Sequence, residues 1–85
     1  MKKFTYEIKD ELGMHARPAG LLVKEAKKFS SNITLICGEK NASAKGLISV
    51  MGLGVKYGNE VTVTAEGEDE AEAIAALEAF FNGNF

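Results

Sequence analysis

The chain has 85 residues, 46% of them apolar and 26% charged, with ten basic side chains against twelve acidic ones and a formal net charge of −2. Those proportions exclude a disordered tail or a repeat array and point to one small globular domain over residues 1–85, too short to enclose a large substrate cavity. A single cysteine, Cys37, excludes an internal disulfide, and no apolar run reaches the length of a membrane span, so a cytoplasmic protein without direct membrane insertion is expected.

Phe4, Tyr6 and Ile8 alternate with Thr5, Glu7 and Lys9, the period of a half-buried first strand. Leu22, Val23, Ala26 and Phe29 then follow helical spacing. Between them lies Gly13-Met14-His15-Ala16-Arg17-Pro18-Ala19-Gly20, which holds the only histidine and the only proline of the chain. Gly13 suits a turn with positive φ and Pro18 fits only the first helical turn, so the helix is predicted to begin at about Ala16 with His15 as its cap. Ile33, Leu35 and Cys37 alternate with Thr34 and Ile36 in a second strand; Gly38-Glu39-Lys40-Asn41 turns the chain, and residues 41–44 read as a short third strand of weak composition. Residues 45–53 are largely apolar and lie between Gly46 and Gly54, a second helix with Gly54 as its stop. Residues 60–66 give the clearest strand, with Val61, Val63 and Ala65 on the buried face and Glu60, Thr62, Thr64 and Glu66 toward water. Glu68, Asp69, Glu70 and Glu72 favour the positive end of a last helix whose apolar stripe is Ile74, Leu77 and Phe81; residues 82–85 are expected to fray. The order β-α-β-β-α-β-α describes an α+β open-faced sandwich, a four-stranded antiparallel sheet covered on one face by three helices.

A helix start presents unpaired N–H groups and the positive end of the helix dipole, which together attract anions. A histidine placed there faces a phosphate pocket, and imidazole is a nucleophile in the neutral form that predominates near pH 7. Arg17 adds a fork of donors suited to phosphate oxygens. The segment therefore reads as a histidine that takes a phosphoryl group, held by the region of Ala16, Arg17 and Pro18, although Pro18 itself donates nothing. A lone histidine at a helix start is more often a cap or a surface residue, so spacing alone leaves both readings open. One histidine and one cysteine argue against a zinc site, and no metal or cofactor is expected.

The charge is unevenly spread. Up to Lys56 there are ten basic residues and five acids, a net +5; beyond it there are seven acids and no base, a net −7. Arg17, Lys24, Lys27 and Lys28 on the first helix, with Lys45 near the second, give the reactive end a positive potential suited to acidic partners, while Lys27 and Lys28 fit a plain solvated face equally well. Leu47, Ile48, Val50, Met51 and Leu53 carry more apolar surface than one stripe of a two-turn helix can hide. With Val50 and Leu53 turned inward, Ile48 and Met51, with Leu47 at the edge, form an exposed patch for partners. The acidic total and seven ungrouped aromatics argue against nucleic acid, and a lone histidine without a cleft argues against a self-sufficient enzyme.

The segment from Gly13 to Ala19 resembles the active-site segment of the histidine-containing phosphocarrier proteins (HPr) of the bacterial sugar phosphotransferase system. The likeness continues through Lys45 to Gly58 (KGLISVMGLGVKYG), Glu60 to Gly67 (EVTVTAEG) and Ala73 to Leu77, and covers essentially the whole chain. The resemblance implies that enzyme I, charged by phosphoenolpyruvate, phosphorylates His15, that Arg17 helps hold the phosphoryl charge, and that the group passes to a histidine on sugar-specific IIA proteins. It implies a phosphocarrier protein, monomeric and without cofactor, rather than a stand-alone enzyme. It also implies that the first two helices form the docking face, with Ala16, Gly20, Leu47, Ile48 and Met51 at or beside contact positions; Lys24, like Arg17, is placed near the site by the charge distribution.

Two positions depart from the family. Relatives from low-GC Gram-positive bacteria open the second helix with a serine that an ATP-dependent kinase modifies, and Gram-negative relatives keep a serine there as well; this chain has Gly46, which has no hydroxyl, and neither Ser43 nor Ser49 occupies the matching place. Gly20 stands where alanine is common, at roughly 1 kcal/mol of helix propensity. An alternative therefore remains beside sugar transport: a regulatory or specialised non-sugar paralogue that uses the same phosphohistidine without seryl control.

Overall fold

The computed structural model describes residues Met1–Phe85. Its elements are β1 (Lys2–Glu7), α1 (Ala16–Ala26), β2 (Asn32–Cys37), β3 (Lys40–Ser43), α2 (Leu47–Gly52), β4 (Glu60–Glu66) and α3 (Glu70–Asn84). The four strands form one antiparallel sheet in the order β1-β4-β2-β3. The alternation read from sequence sets its register: Phe4 lies opposite Val63, Tyr6 opposite Val61 and Leu35 opposite Val63. These residues point to the helices, and one core of twenty buried apolar side chains lies between sheet and helices, with Leu22, Ile33, Leu35, Val61, Leu77 and Phe81 almost fully enclosed. The other face carries Thr5, Thr62 and Thr64 and meets water. This is the predicted α+β open-faced sandwich in the predicted order of elements.

Four features differ from expectation. Helix α1 stops at Ala26, before Phe29: the N–H groups of Lys28 and Phe29 reach back only three residues, to Glu25 and Ala26, and Phe29 is half-buried beyond the helix. The third strand lies one residue earlier than predicted, because Lys40 pairs with Cys37 directly across the Gly38-Glu39 turn. On α3 the fully buried stripe is Ala73, Leu77 and Phe81, while Ile74 only flanks the core. Most consequentially, residues 82–85 do not fray. Helix α3 runs to Asn84, and Phe85 is buried with its ring 5.0 Å from that of Phe81. The Phe85 carbonyl accepts the N–H groups of Lys9 (2.6 Å) and Asp10 (2.9 Å), so the chain's last turn is tied to the loop that leads to His15.

A second tie joins the end of α1 to the start of α3. Asp69 accepts hydrogen bonds from the Ser30 and Ser31 N–H groups, both at 2.9 Å, and from the Ser31 hydroxyl, which is buried. The Ser31 hydroxyl first, and then the Ser30 amide, hold the Asp69 carboxyl below its ordinary value of 3.8. A carboxylate whose folded value is depressed contributes stability that is complete above its unfolded value and lost as pH falls through the folded one. Wild type is therefore expected to lose thermal stability below about pH 4 more steeply than Asp69→Asn. Melting curves between pH 7 and pH 3 check this; parallel curves for the two proteins would show that the Asp69 charge contributes nothing.

Candidate functional site

His15 is set in place by the loop between β1 and α1. Gly13 takes φ +66°, and its N–H donates to the Asp10 carbonyl at 2.9 Å, while the Leu12 N–H donates to Asp10 Oδ1 at 2.9 Å. Met14 is buried and its N–H reaches the Val55 carbonyl at 3.1 Å, so the residue before His15 is anchored in the core. His15 itself occupies the N-cap position in extended conformation. It caps by backbone only: its carbonyl accepts the Ala19 N–H at 3.0 Å, and its ring makes no capping hydrogen bond. The ring is thus free for other work. The Ala16 and Arg17 N–H groups precede that first intrahelical bond and face the helix start, whereas Pro18 contributes a fixed φ and no donor.

Around the ring lies a shallow pocket of about 310 Å³ lined by Asp10, His15, Arg17, Pro18, Leu21 and Asn84. Three parts of the chain meet here: the β1–α1 loop, the first turns of α1 and the last residues of α3. Arg17 is exposed and pairs with no carboxylate, so its guanidinium is available to an incoming anion. The carboxylate of Asp10 faces the ring, with Oδ2 3.8 Å from His15 Nε2. A larger groove of about 710 Å³ is lined instead by Glu7, Ile36, Cys37, Gly38, Gly58, Asn59, Glu60 and Thr62. Two carboxylates and no cation make that groove unsuited to phosphate.

The predicted site residues separate into two groups. His15, Arg17 and Pro18 share the pocket, with Ala16 exposed beside them. Gly20 and Lys24 continue the same face of α1 at successive turns, and Lys24 is exposed but does not line the pocket. Lys45 is also occupied elsewhere, since its Nζ donates to the Phe29 carbonyl at 2.6 Å. Helix α2 packs beside α1 and buries Val50 and the following Leu53, leaving Ile48 86% exposed and Leu47 and Met51 45% and 40% exposed. Leu21 on α1 is exposed as well and lines the His15 pocket. Gly54 ends α2 with φ +62°, as its position suggested.

Sequence reasoning missed Asp10 and Asn84. For Asp10 a signal existed: an aspartate two residues before an amide and three before a glycine is an Asx-turn pattern, which aims its carboxylate back along the loop. Asn84 reaches the pocket through the tertiary placement of α3, which local pattern does not encode.

A protein-family model described as the PTS HPr component phosphorylation site matches residues 2–83. The chain belongs to the HPr family. This is a bacterial family of phosphocarrier proteins of the phosphotransferase system. The phosphocarrier protein HPr of Mycoplasma capricolum is 49% identical over 77 residues, 91% of this chain and 86% of that protein. HPr of Thermoanaerobacter tengcongensis superposes with a TM-score of 0.94 at 48% identity, covering all of this chain and 96% of that one. The catabolite repression protein Crh of Bacillus subtilis, crystallised as a swapped dimer, is 39% identical with a TM-score of 0.78, over 99% of this chain and 97% of that one. No helix of the chain is long and apolar enough to cross a membrane.

Proposed function

We propose that the chain accepts a phosphoryl group on His15 from phospho-enzyme I and passes it to sugar-specific IIA proteins in the cytoplasm. The observation that carries this reading is the shared pocket of a ring free of capping duty and a guanidinium free of ion pairs, at the positive end of α1. A ring nitrogen attacks phosphorus, the donor's P–N bond breaks, and the electron pair returns to the donor's imidazole. The Arg17 guanidinium and the first amides of α1 oppose the charge on the phosphoryl oxygens. The pocket is open, so partners must close it. Ala16, Gly20 and Lys24 on α1 and Leu47, Ile48 and Met51 on α2 form the docking face, where apolar surface left in water is covered only in the complex. A monomer suffices, because His15, Arg17 and both docking helices belong to one chain. Incubation with phosphoenolpyruvate and enzyme I should label the protein with one acid-labile phosphoryl group, and absence of label would overturn the reading.

The second reading, a regulatory or specialised non-sugar carrier using the same His15, differs in its partners alone. Growth of a strain lacking its own phosphocarrier on a transported sugar, once this chain is supplied, favours transport. Gly46 bears on regulation, because the N-cap of α2 has no side-chain hydroxyl to modify. Its backbone is extended, and a Cβ there would meet the Ser49 hydroxyl at 3.3 Å, the end of a side chain that can rotate, with Ser49 Cβ at 3.6 Å and the Ser43 carbonyl oxygen at 3.9 Å in ordinary contact. Gly46→Ser is therefore expected to stabilise the protein by a few tenths of a kcal/mol as an N-cap, read by chemical denaturation. It should also make the chain a substrate for the seryl kinase of Gram-positive relatives, with wild type unlabelled.

A further inference from the structure

We propose that Asn82 is a site of spontaneous covalent modification, conversion to aspartate or isoaspartate through attack by the Gly83 amide. The capture of Phe85 suppresses the reaction in the folded protein, and the reaction, once it occurs, uncouples α3 from the His15 loop. Its consequence for phosphoryl uptake rests on the phosphocarrier reading of His15; the modification itself does not. Of the five asparagines in the chain, Asn82 alone precedes a glycine. A glycine has no Cβ to hinder its nitrogen as that nitrogen closes on the asparagine Cγ, and its backbone freedom admits the turn this requires. Asn82 and Gly83 are exposed, so water reaches them.

Two contacts keep the reaction shut. Asn82 Nδ2 donates to the Glu78 carbonyl at 3.0 Å, which turns Cγ back along the helix and away from Gly83. Gly83 lies inside α3, where backbone N–H groups donate to carbonyls four residues back and the nitrogen is held. Both contacts last only while the final turn stays helical, and that turn has little of its own to hold it. Glycine is a poorer helix former than any residue but proline, and no basic side chain in the turn offsets the negative end of the helix dipole. What closes the turn is Phe85. Its ring is buried 5.0 Å from Phe81 and 6.1 Å from Phe80, its N–H donates to the Phe81 carbonyl at 2.9 Å, and its carbonyl accepts the Lys9 and Asp10 N–H groups. When Phe85 leaves this seat, the turn opens locally and Asn82-Gly83 gains the freedom of an unfolded segment.

The Gly83 nitrogen then gives its proton to water and bonds to Cγ, the Cγ–Nδ2 bond breaks, and Nδ2 leaves as ammonia. Water opens the resulting cyclic imide at one carbonyl or the other, giving aspartate or isoaspartate; no other reactant is needed. Isoaspartate places an extra carbon in the main chain between positions 82 and 83, so the Phe85 ring and carbonyl cannot both return to their seats. Either product adds a negative charge to the turn that supplies Asn84 to the His15 pocket. The loop that Phe85 tied down is released, and an approaching phosphoryl group meets a more negative surface.

Ageing the protein at mildly alkaline pH, followed by peptide mapping, should show a mass gain of one dalton at Asn82 ahead of every other asparagine, many-fold more slowly in the native protein than in denaturant. Phe85→Ala should convert several-fold faster than wild type, and Phe85→Leu, which keeps an apolar group in the seat, should fall between them. If a melting curve shows that Phe85→Ala is unfolded, Phe85→Leu carries the comparison. Gly83→Ala, whose Cβ meets no atom within 4 Å, should stay folded and slow the reaction several-fold. The modified protein, separated by its added charge, should take a phosphoryl group from enzyme I several-fold more slowly than the unmodified protein. No mass gain at Asn82 would overturn the site. Native wild type converting as fast as the denatured chain, or folded Phe85 variants converting no faster than wild type, would overturn the role of Phe85. Equal uptake by modified and unmodified protein would overturn the coupling to His15. No uptake by either form would overturn the phosphocarrier reading and that coupling together, while the mass gain decides the modification by itself.

Discussion

His15→Ala is expected to abolish labelling from phosphoenolpyruvate and enzyme I while leaving the fold as stable as wild type. The two halves of this result come from one structural fact. The ring makes no capping hydrogen bond and its side chain is 37% exposed, so removing it takes nothing from helix α1. The carbonyl of residue 15 still accepts the Ala19 amide, and the anchor of the loop is the buried Met14 beside it. A change of less than about 0.5 kcal/mol is expected for a side chain placed like this. The chemistry has no such reserve. Ser43, at the end of β3, and Ser49, in α2, are exposed but neither lines the pocket of His15 and Arg17, and Cys37 lines the groove beside Glu7 and Glu60, where two carboxylates repel a phosphoryl donor. Radiolabel incorporation and a thermal melt on the same two samples check both halves. Residual label on His15→Ala would place the acceptor elsewhere in the chain, and a large drop in melting temperature would show that the ring supports the fold.

The parts of the structure legible in the sequence are those where local pattern and tertiary packing ask for the same thing. Val61, Val63 and Ala65 alternate because β4 is central, paired on both sides and covered on one face, and period two leaves no other register. Gly13 and Pro18 bracket the start of α1 because each satisfies a backbone demand that few other residues meet. The exposed patch on α2 was legible by excess, since a helix of about two turns cannot turn Leu47, Ile48, Val50, Met51 and the following Leu53 all inward. What escaped were contacts between segments far apart in the chain. Residues 82–85 carry two asparagines and a glycine and read as a fraying end, yet Phe85 is held by the Phe80 and Phe81 rings and by two amides of the β1–α1 loop. That same capture brings Asn84 into the pocket and fixes the backbone of Asp10. Lys45 was legible as a charge near the site but not as a tether to the Phe29 carbonyl. The candidate histidine was thus singled out by eight consecutive residues, whereas the pocket around its ring depends on where the last turn of α3 lies.

Gly13→Ala should be the most damaging single-methyl change in the loop that carries His15. The residue takes φ +66°, a left-handed conformation that costs a residue with a Cβ of order 1 kcal/mol. The new Cβ would also lie 2.5 Å from the Val55 carbonyl oxygen and 2.8 Å from Lys56 Cα. Both obstacles are backbone, so neither can rotate away as a side chain would; the β1–α1 loop and the segment around Val55 must separate. Separation breaks the bond from the Met14 amide to the Val55 carbonyl and loosens the seat of buried Met14 and Val55, adding about 1–3 kcal/mol. A total of about 3 kcal/mol corresponds to a fall of roughly 12–24 °C in Tm for a domain of this size. Because His15 lies two residues along the same loop, phosphoryl uptake should slow even at temperatures where the variant is folded. Gly20→Ala is the matched control of opposite sign: no atom lies within 4 Å of its Cβ, and alanine inside α1 should raise stability by up to about 1 kcal/mol. If both variants melt within a few degrees of wild type, the loop yields to the methyl group and the close approach to Val55 does not hold His15 in place. If Gly13→Ala alone collapses, the position of the His15 ring depends on the one residue of that loop that has no side chain.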